Sequence, residues 1–396
     1  MKTLSPYKKY MQEKVLQRFK TSYKPNWIPT EELYGSTVLI EGKQKIYLSS
    51  NDRLGLAAHP KVREAASKAA KRFGLGLNSY FLGGFMSIHK ELEEKLAEFL
   101  GKEKVLVFNS GYLANIGSIP ALAGRQDSIF IDAHSHASIL DSCNLSKAEK
   151  FIFNHNDAEN LKYNLNKYKR SNNKLIVVEG VYSVKGEICP LTDIYNVVKQ
   201  YNSILFVDDA HGIGTLGNQG KGTLSYYNLM DRDDIILMGT FNKSLGAIGG
   251  FIAGDKDTLE YLKYFARSYM FTAAISPPMA AAVIEAINLI KNEPERIITC
   301  WDYAKKLHAG FKEMGYTVAE MQTPIISLEF KGGDTAFRLC QELYKNDIFT
   351  HAFSYPAVPK GMSLIRLVSS AAHTGEQIQY VLEKFYTNGK LLDLIE

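Results

Sequence analysis

The chain has 396 residues, 45% of them hydrophobic and 22% charged, with a formal net charge of +5. These are the proportions of an ordinary globular protein, long enough for one large domain and a smaller one. No Lys/Arg block dominates, so the strongly basic footprint of a nucleic-acid binder is excluded, while an anionic substrate stays compatible with the charge. Cys143, Cys189, Cys300 and Cys340 are scattered with no Cys-x-x-Cys pair. That spacing argues against a disulfide framework and against a zinc site, so no metal is expected. The start, Met1-Lys2-Thr3-Leu4-Ser5-Pro6, leads into a charged segment and not into the apolar core of a signal peptide. No run approaches the roughly 18 apolar residues of a membrane span. A soluble, cytoplasmic protein is the expectation.

In chain order, Tyr7, Met11, Val15 and Phe19 stand four apart and predict an amphipathic helix over 5–20, able to pack on its own core or on another subunit. Residues 37–49 predict a hairpin, Thr37–Ile40 then Lys45–Leu48, turning at Glu41-Gly42. A polar loop, Ser50 to Leu56, follows. Ile88, Leu92, Leu96 and Phe99 line a helix stopped by Gly101. Val105–Phe108, Ser128–Ile131, Leu175–Val178, Ile204–Val207 and Ile235–Met238 are short, continuously apolar runs with helical patterns between several of them. Strands of a parallel sheet buried on both faces read this way. Pro277-Pro278 starts a helix carrying Met279, Val283, Ile287 and Ile290. Strands near 324–330, 348–353 and 363–369, with helices among and after them, predict a smaller α+β unit. The division expected is an N-terminal helix and hairpin arm over 1–50, a large domain over 51–285 and a small C-terminal domain over 286–396.

Each of the five apolar runs ends in a polar cluster, which is where an open α/β sheet keeps its site. The first gives Asn109-Ser110-Gly111-Tyr112, backbone amides at a helix start able to hold a phosphate. The second leads to Asp132-Ala133-His134-Ser135-His136-Ala137-Ser138, the third to Glu179-Gly180-Val181-Tyr182-Ser183, and the fourth to Asp208-Asp209-Ala210-His211-Gly212. The fifth gives Thr240-Phe241-Asn242-Lys243-Ser244-Leu245-Gly246. A lone lysine after a strand is usually a solvated surface residue, and an acidic pair there is as often a helix cap. All five clusters together, in this order, point to one site.

This series resembles the pyridoxal-phosphate enzymes of fold type I and, within them, the α-oxoamine synthases. That group includes 8-amino-7-oxononanoate synthase, serine palmitoyltransferase and 2-amino-3-ketobutyrate CoA ligase. The resemblance runs from about Ser50 to the C-terminus and includes the late Arg366 followed by Ala371-Ala372-His373-Thr374. It implies an α/β large domain with a mostly parallel sheet flanked by helices, and pyridoxal 5'-phosphate as cofactor. Lys243 would form the Schiff base with the cofactor aldehyde. Asp208 would pair with the pyridine nitrogen and keep it protonated. His136 would stack on the ring, the rival reading being a helix-cap histidine. Ser183 and His211 would hydrogen-bond the phenolic oxygen, with His211 also assisting proton transfer. Ser110, the Gly111 and Tyr112 amides and Thr240 would surround the phosphate, and Thr272 matches the ligand that a partner subunit contributes. Arg366 would bind the amino-acid carboxylate through its guanidinium fork, with Asn51 near the substrate.

The activity so implied is a decarboxylating Claisen-type condensation of a small L-amino acid (alanine, serine or glycine) with an acyl-CoA or acyl-carrier-protein thioester. It yields a 2-amino ketone, the free thiol and CO₂, in a homodimer with its sites at the subunit interface. A quorum-signal aminoketone synthase of the same family, and another fold-type-I enzyme such as an aminotransferase or lyase, are the alternatives. Three departures from the family pattern bear on substrate identity. Asn242 stands where Ser, Gly or Ala is usual, Asn78-Ser79-Tyr80 differs from the common loop, and Arg53 replaces a usual tyrosine.

Overall fold

A computed structural model describes residues 5–18, 27–168, 173–355 and 357–396. The leading helix α1 spans Pro6–Arg18. Tyr7, Tyr10 and Met11 are exposed along it, so these three side chains do not pack on the chain's own core. Phe19 and the side chain of Val15 lie outside the described residues.

Three antiparallel strands follow: β1 (Glu32–Tyr34), β2 (Thr37–Ile40) and β3 (Lys43–Tyr47). Glu41 and Gly42 both take positive φ, 52° and 71°, as the predicted tight hairpin turn requires. Helix α2 (Pro60–Phe73) is followed by α3 (Ser87–Leu100), which Gly101 ends in the left-handed conformation.

The central layer is built from β4 (Lys104–Phe108), β5 (Ser128–Asp132), β6 (Glu149–Phe153), β7 (Lys174–Glu179), β8 (Ile204–Asp208), β9 (Ile235–Thr240) and β10 (Gly250–Gly254). Their order is β4-β10-β9-β8-β7-β5-β6. The pairs among β9, β8, β7, β5 and β6 are parallel, and β10 runs antiparallel to both its neighbours. Every residue of β5, β9 and β10 is buried, which is why those segments are apolar without alternation. The exception is β6, an edge strand with only Phe153 buried; its polar residues concealed it from the hydrophobic pattern. The strand β10 escaped too, being a short run bracketed by glycines.

Helices α4 (Gly111–Leu122), α5 (Ala137–Leu145), α6 (Ala158–Lys167), α7 (Leu191–Gln200) and α8 (Thr223–Tyr226) connect these strands. Then come α9 (Lys256–Phe265), α10 (Arg267–Met270) and α11 (Pro277–Asn292). The remainder is α12 (Glu295–Glu313), β11 (Ile325–Lys331), α13 (Thr335–Lys345), β12 (Ile348–Phe349), β13 (Ala352–Ser354), β14 (Met362–Val368) and α14 (Gly375–Leu391). Strands β11, β14 and β13 form an antiparallel sheet. The short β12 instead joins β3 in parallel, and the Lys45 ammonium meets Asp347 at 2.8 Å beside it.

One apolar core runs from Leu54 to Ile290 around the central sheet. A second gathers Leu48, α12, α13, α14 and the β11-β14-β13 sheet. The turn after β9 is held against the loop after β3 by a glycine: Gly246 has φ +65°, and a Cβ there would lie 2.4 Å from the backbone nitrogen of Ala57. Gly246→Ala should therefore lower stability by about 1–3 kcal/mol, read as a fall in the midpoint of thermal unfolding. An unchanged midpoint would show that the loop shifts freely.

Candidate active site

The parallel strands carry their C-terminal ends to one rim of the sheet, and a cavity of about 230 Å³ opens there. Ser110, Gly111, Tyr112, His136, Ser138, Glu179, Ser183, Asp208, Ala210, His211, Met238, Thr240, Asn242 and Lys243 line it. All five strand-end clusters thus converge, although they lie up to 133 residues apart in the sequence.

At one end of the cavity stands the N-terminus of α4. Ser110 caps it, its Oγ accepting from the Leu113 amide at 3.0 Å. The amides of Gly111 and Tyr112 come before the first intrahelical acceptor and are free to meet an anion. Backbone crowds this point from behind. A Cβ on Gly250 would lie 2.5 Å from the nitrogen of Gly111, and one on Gly111 would meet the Thr240 side chain at 3.1 Å. Thr240 Oγ1 lies 2.7 Å from Asn242 Oδ1 and 3.0 Å from the Gly249 carbonyl, donating to one or the other. With Oδ1 so engaged, the NH₂ of Asn242 remains its available donor.

Two carboxylates sit deeper. Asp208 is buried at the end of β8, with Oδ2 accepting from Asn115 Nδ2 at 2.8 Å and Oδ1 from the Ala210 amide at 3.1 Å. Glu179, at the end of the adjacent β7, accepts the His136 amide at 2.6 Å. Burial raises the pKa of Asp208, and burial together with the Asp208 charge raises that of Glu179. Such a pair is relieved by a cation placed against it.

His136 is the N-cap of α5: its Nδ1 lies 3.2 Å from the Ser138 amide and 2.8 Å from Ser138 Oγ. The capping role and a place on the cavity wall therefore coexist. His211 is buried, its Nδ1 2.7 Å from Arg53 Nη2.

Lys243 follows β9, in a turn closed by the Gly246 amide donating to its carbonyl at 3.0 Å. Burial, then the charges of Arg366 and Arg53, bring its pKa down to about 7, against the opposing pull of Asp208 and Glu179. A lysine of ordinary pKa stays charged well above that value. In the cofactor-free chain the uncharged amine should accordingly appear as pH rises through about 7. Trinitrobenzenesulfonate labelling followed by peptide mass spectrometry reads this; a midpoint above about 9.5 would show an unperturbed lysine.

Arg366 projects from β14 outside this lining. Its Nη1 donates to the Ser183 carbonyl at 2.8 Å and its Nη2 to Asn51 Oδ1 at 3.3 Å, with the ring of Phe353 5.5 Å from the guanidinium carbon. It borders a second cavity of about 130 Å³ with Ser49, His351, Ala352 and Phe353. Asn51 thus meets Arg366, and Arg366 adjoins Ser183, which lines the larger cavity. Thr272 stands apart, its hydroxyl donating to the Ser268 carbonyl at 2.5 Å.

Three residues gained their significance only here. Glu179 ends a strand but carried no assigned role, Asn115 lies one helical turn inside α4, and Arg53 read only as a departure. The Tyr80 departure is a packing feature: its ring stacks on Tyr269 at 4.6 Å and its hydroxyl accepts the Ile275 amide at 3.2 Å.

The chain matches the family described as aminotransferase class I and II over residues 43–385. It is 40% identical to a serine palmitoyltransferase of Bacteriovorax stolpii over 367 residues, 92% of this chain and 87% of the relative. It is 38% identical to an 8-amino-7-oxononanoate synthase of Thermosipho melanesiensis over 366 residues, 92% and 93% of the two chains. Among solved structures, a serine palmitoyltransferase of Sphingomonas wittichii superposes with a TM-score of 0.93 at 33% identity, covering 99% and 98% of the two chains. A serine palmitoyltransferase variant from S. paucimobilis, with PLP and myriocin bound, superposes with a TM-score of 0.92 at 32% identity, covering 98% of each chain.

Proposed function

The chain belongs to the aminotransferase class I and II family and, within it, to the pyridoxal-phosphate-dependent α-oxoamine synthases, and from that premise we propose how its residues divide the work. The enzyme is a C-acyltransferase joining a small L-amino acid to an acyl thioester, with loss of CO₂ and release of the thiol. The observation that carries the residue assignment is the convergence on one cavity of a helix N-terminus, a buried carboxylate pair and a lysine of lowered pKa.

These residues fit the cofactor group by group. The free amides of α4, with Thr240 and the Asn242 NH₂, offer donors to a phosphate in a cradle that a Cβ at Gly111 or Gly250 would crowd. The two buried carboxylates call for a cation, which a protonated pyridine nitrogen is.

Bound pyridoxal phosphate supplies a ring that takes up the negative charge developing at Cα of an attached amino acid. Asp208, fixed by Asn115 and Ala210, holds the proton on the ring nitrogen. His136 would cover a ring face while anchored as a helix cap. Lys243 Nζ would hold the cofactor through its aldehyde carbon, and its amine, with a pKa brought down to about 7, would be the group able to take a proton from Cα near neutral pH. Arg366 holds the amino-acid carboxylate through a guanidinium already aligned by Ser183 and Asn51. Ser183 and His211, which line the same cavity, would offer hydrogen bonds to the phenolic oxygen.

The active unit is a homodimer acting in the cytoplasm, each protomer divided into the arm 1–50, a large domain 51–285 and a small domain 286–396. Thr272, outside the cavity of its own chain, serves the partner's phosphate. Leu75, Leu77, Phe81 and Phe271 are all more than half exposed on neighbouring segments, an apolar surface that a second copy would cover. No helix among the described residues is long and apolar enough to cross a membrane.

A thiol-release assay crossing glycine, alanine, serine and 2-aminobutyrate with acyl-CoAs of increasing length tests the reading and finds the substrate pair. Transfer of the amino group to a keto acid with no thiol released would replace it with an aminotransferase.

A further inference from the structure

Arg53 is fully buried, and its backbone is fixed at both ends, the amide donating to the Asn51 carbonyl at 2.9 Å and the carbonyl accepting from Ala371 at 2.8 Å. Its Nη2 lies 2.7 Å from His211 Nδ1. A guanidinium has donors and no acceptor, so Nδ1 must supply the lone pair of this bond. An imidazole with an accepting Nδ1 that is not doubly protonated carries its hydrogen on Nε2. His211 lines the larger cavity, so Nε2–H is the group it has left to present there.

The surroundings hold the ring neutral. Burial comes first, then the charges of Lys243, Arg53, Arg366 and His136, and all of these push the His211 pKa well below the usual histidine range. Arg53 gains little else from its position: its Nε and Nη1 are buried and have no hydrogen-bond partner among the described residues. A buried cation bonded through one nitrogen is costly to the fold, which points to a role beyond stability.

We propose that Arg53 is a positioning residue that locks His211 into the neutral Nε2–H tautomer, making it a fixed hydrogen-bond donor to the cavity and barring it from acting there as a base. Proton acceptance at Cα then falls to Lys243 and not to His211. The tautomer follows from the Arg53 contact by itself. The target of the donor, the phenolic oxygen of the cofactor, rests on the function proposed above.

The test is long-range ¹H–¹⁵N NMR on the full chain labelled with ¹⁵N-histidine, with and without pyridoxal phosphate, between about pH 6 and pH 9. His211→Gln identifies the His211 signals. The expected result is a protonated Nε2, an unprotonated Nδ1 and no titration across that range. Arg53→Lys, still a cationic donor, should retain the single tautomer. Arg53→Leu should give mixed tautomers or a titration entering the range. In the thiol-release assay Arg53→Leu should lower kcat about tenfold or more, leave the amino-acid KM within about threefold and give the rate a new pH dependence.

A protonated Nδ1 in the unaltered protein, a titration within the range, or unchanged His211 signals in a folded Arg53→Leu variant would overturn the proposal. The spectra of the unaltered protein decide even if Arg53→Leu fails to fold. Should they show the expected tautomer while no amino acid and thioester pair releases thiol, the tautomer lock stands and the functional reading fails.

Discussion

Lys243→Ala should abolish thiol release, by at least about four orders of magnitude, and remove the visible absorbance that the lysine-bound cofactor contributes. The residues around this position explain why no neighbour can substitute. The other cations near it are the guanidinium groups of Arg53 and Arg366, which stay protonated and so offer no free amine. The expected effect on the fold is opposite in sign. Burial disfavours the charged amine strongly enough to bring its pKa to about 7, so deleting it removes an unfavourable term. The thermal midpoint of the cofactor-free variant should equal or exceed that of the unaltered chain below pH 7. Inactive protein with an intact fold places the lysine in the chemistry, whereas residual turnover within a hundredfold would remove it.

Asp208→Asn should lower kcat by about 10²- to 10³-fold, the loss expected when a preorganised charge opposite a developing one is neutralised. The shape of the side chain is kept, but its bonds are not. Both carboxylate oxygens accept hydrogen bonds, one from Asn115 and one from Ala210. Either orientation of an asparagine amide sets an NH₂ against one of those donors, so the thermal midpoint should fall as well. Glu179→Gln is the control that separates the two carboxylates. Glu179 accepts the His136 amide, and a glutamine oxygen can still do so, so its effect on kcat should be much smaller than that of Asp208→Asn. Equal losses would mean that the pair acts as one unit and that Asp208 has no private role at the ring nitrogen.

The strands and their terminal clusters were legible in the sequence because the central sheet is buried on both faces. A buried strand needs unbroken apolar residues, and a polar cluster after it is then conspicuous. This exposed β4, β5, β7, β8 and β9 and, with them, Lys243, Asp208, His211, His136 and the helix start at Ser110. The edge strand β6 has no such requirement and stayed hidden, as did β10, a five-residue run bracketed by glycines that lies antiparallel between β4 and β9. The hairpin expected over 37–49 formed over 37–47, while its joining to β12 from the far end of the chain was beyond any local pattern.

Local sequence carries the identity of a reactive group and the element that aims it, because both depend on residues within one helical turn or strand. For this protein that marked the reactive groups: a lysine, a carboxylate, a helix start with free backbone amides and a late arginine. Only tertiary structure decided their working state. The lowered pKa of Lys243, the strained pairing of Glu179 with Asp208 and the contact of Arg53 with His211 arise from groups brought together across long stretches of chain. Burial and charge proximity act through space, and neither is written in the spacing of residues along the chain. Arg53 shows this most plainly: a departure in a loop motif until folding placed its guanidinium 2.7 Å from a histidine 158 residues away.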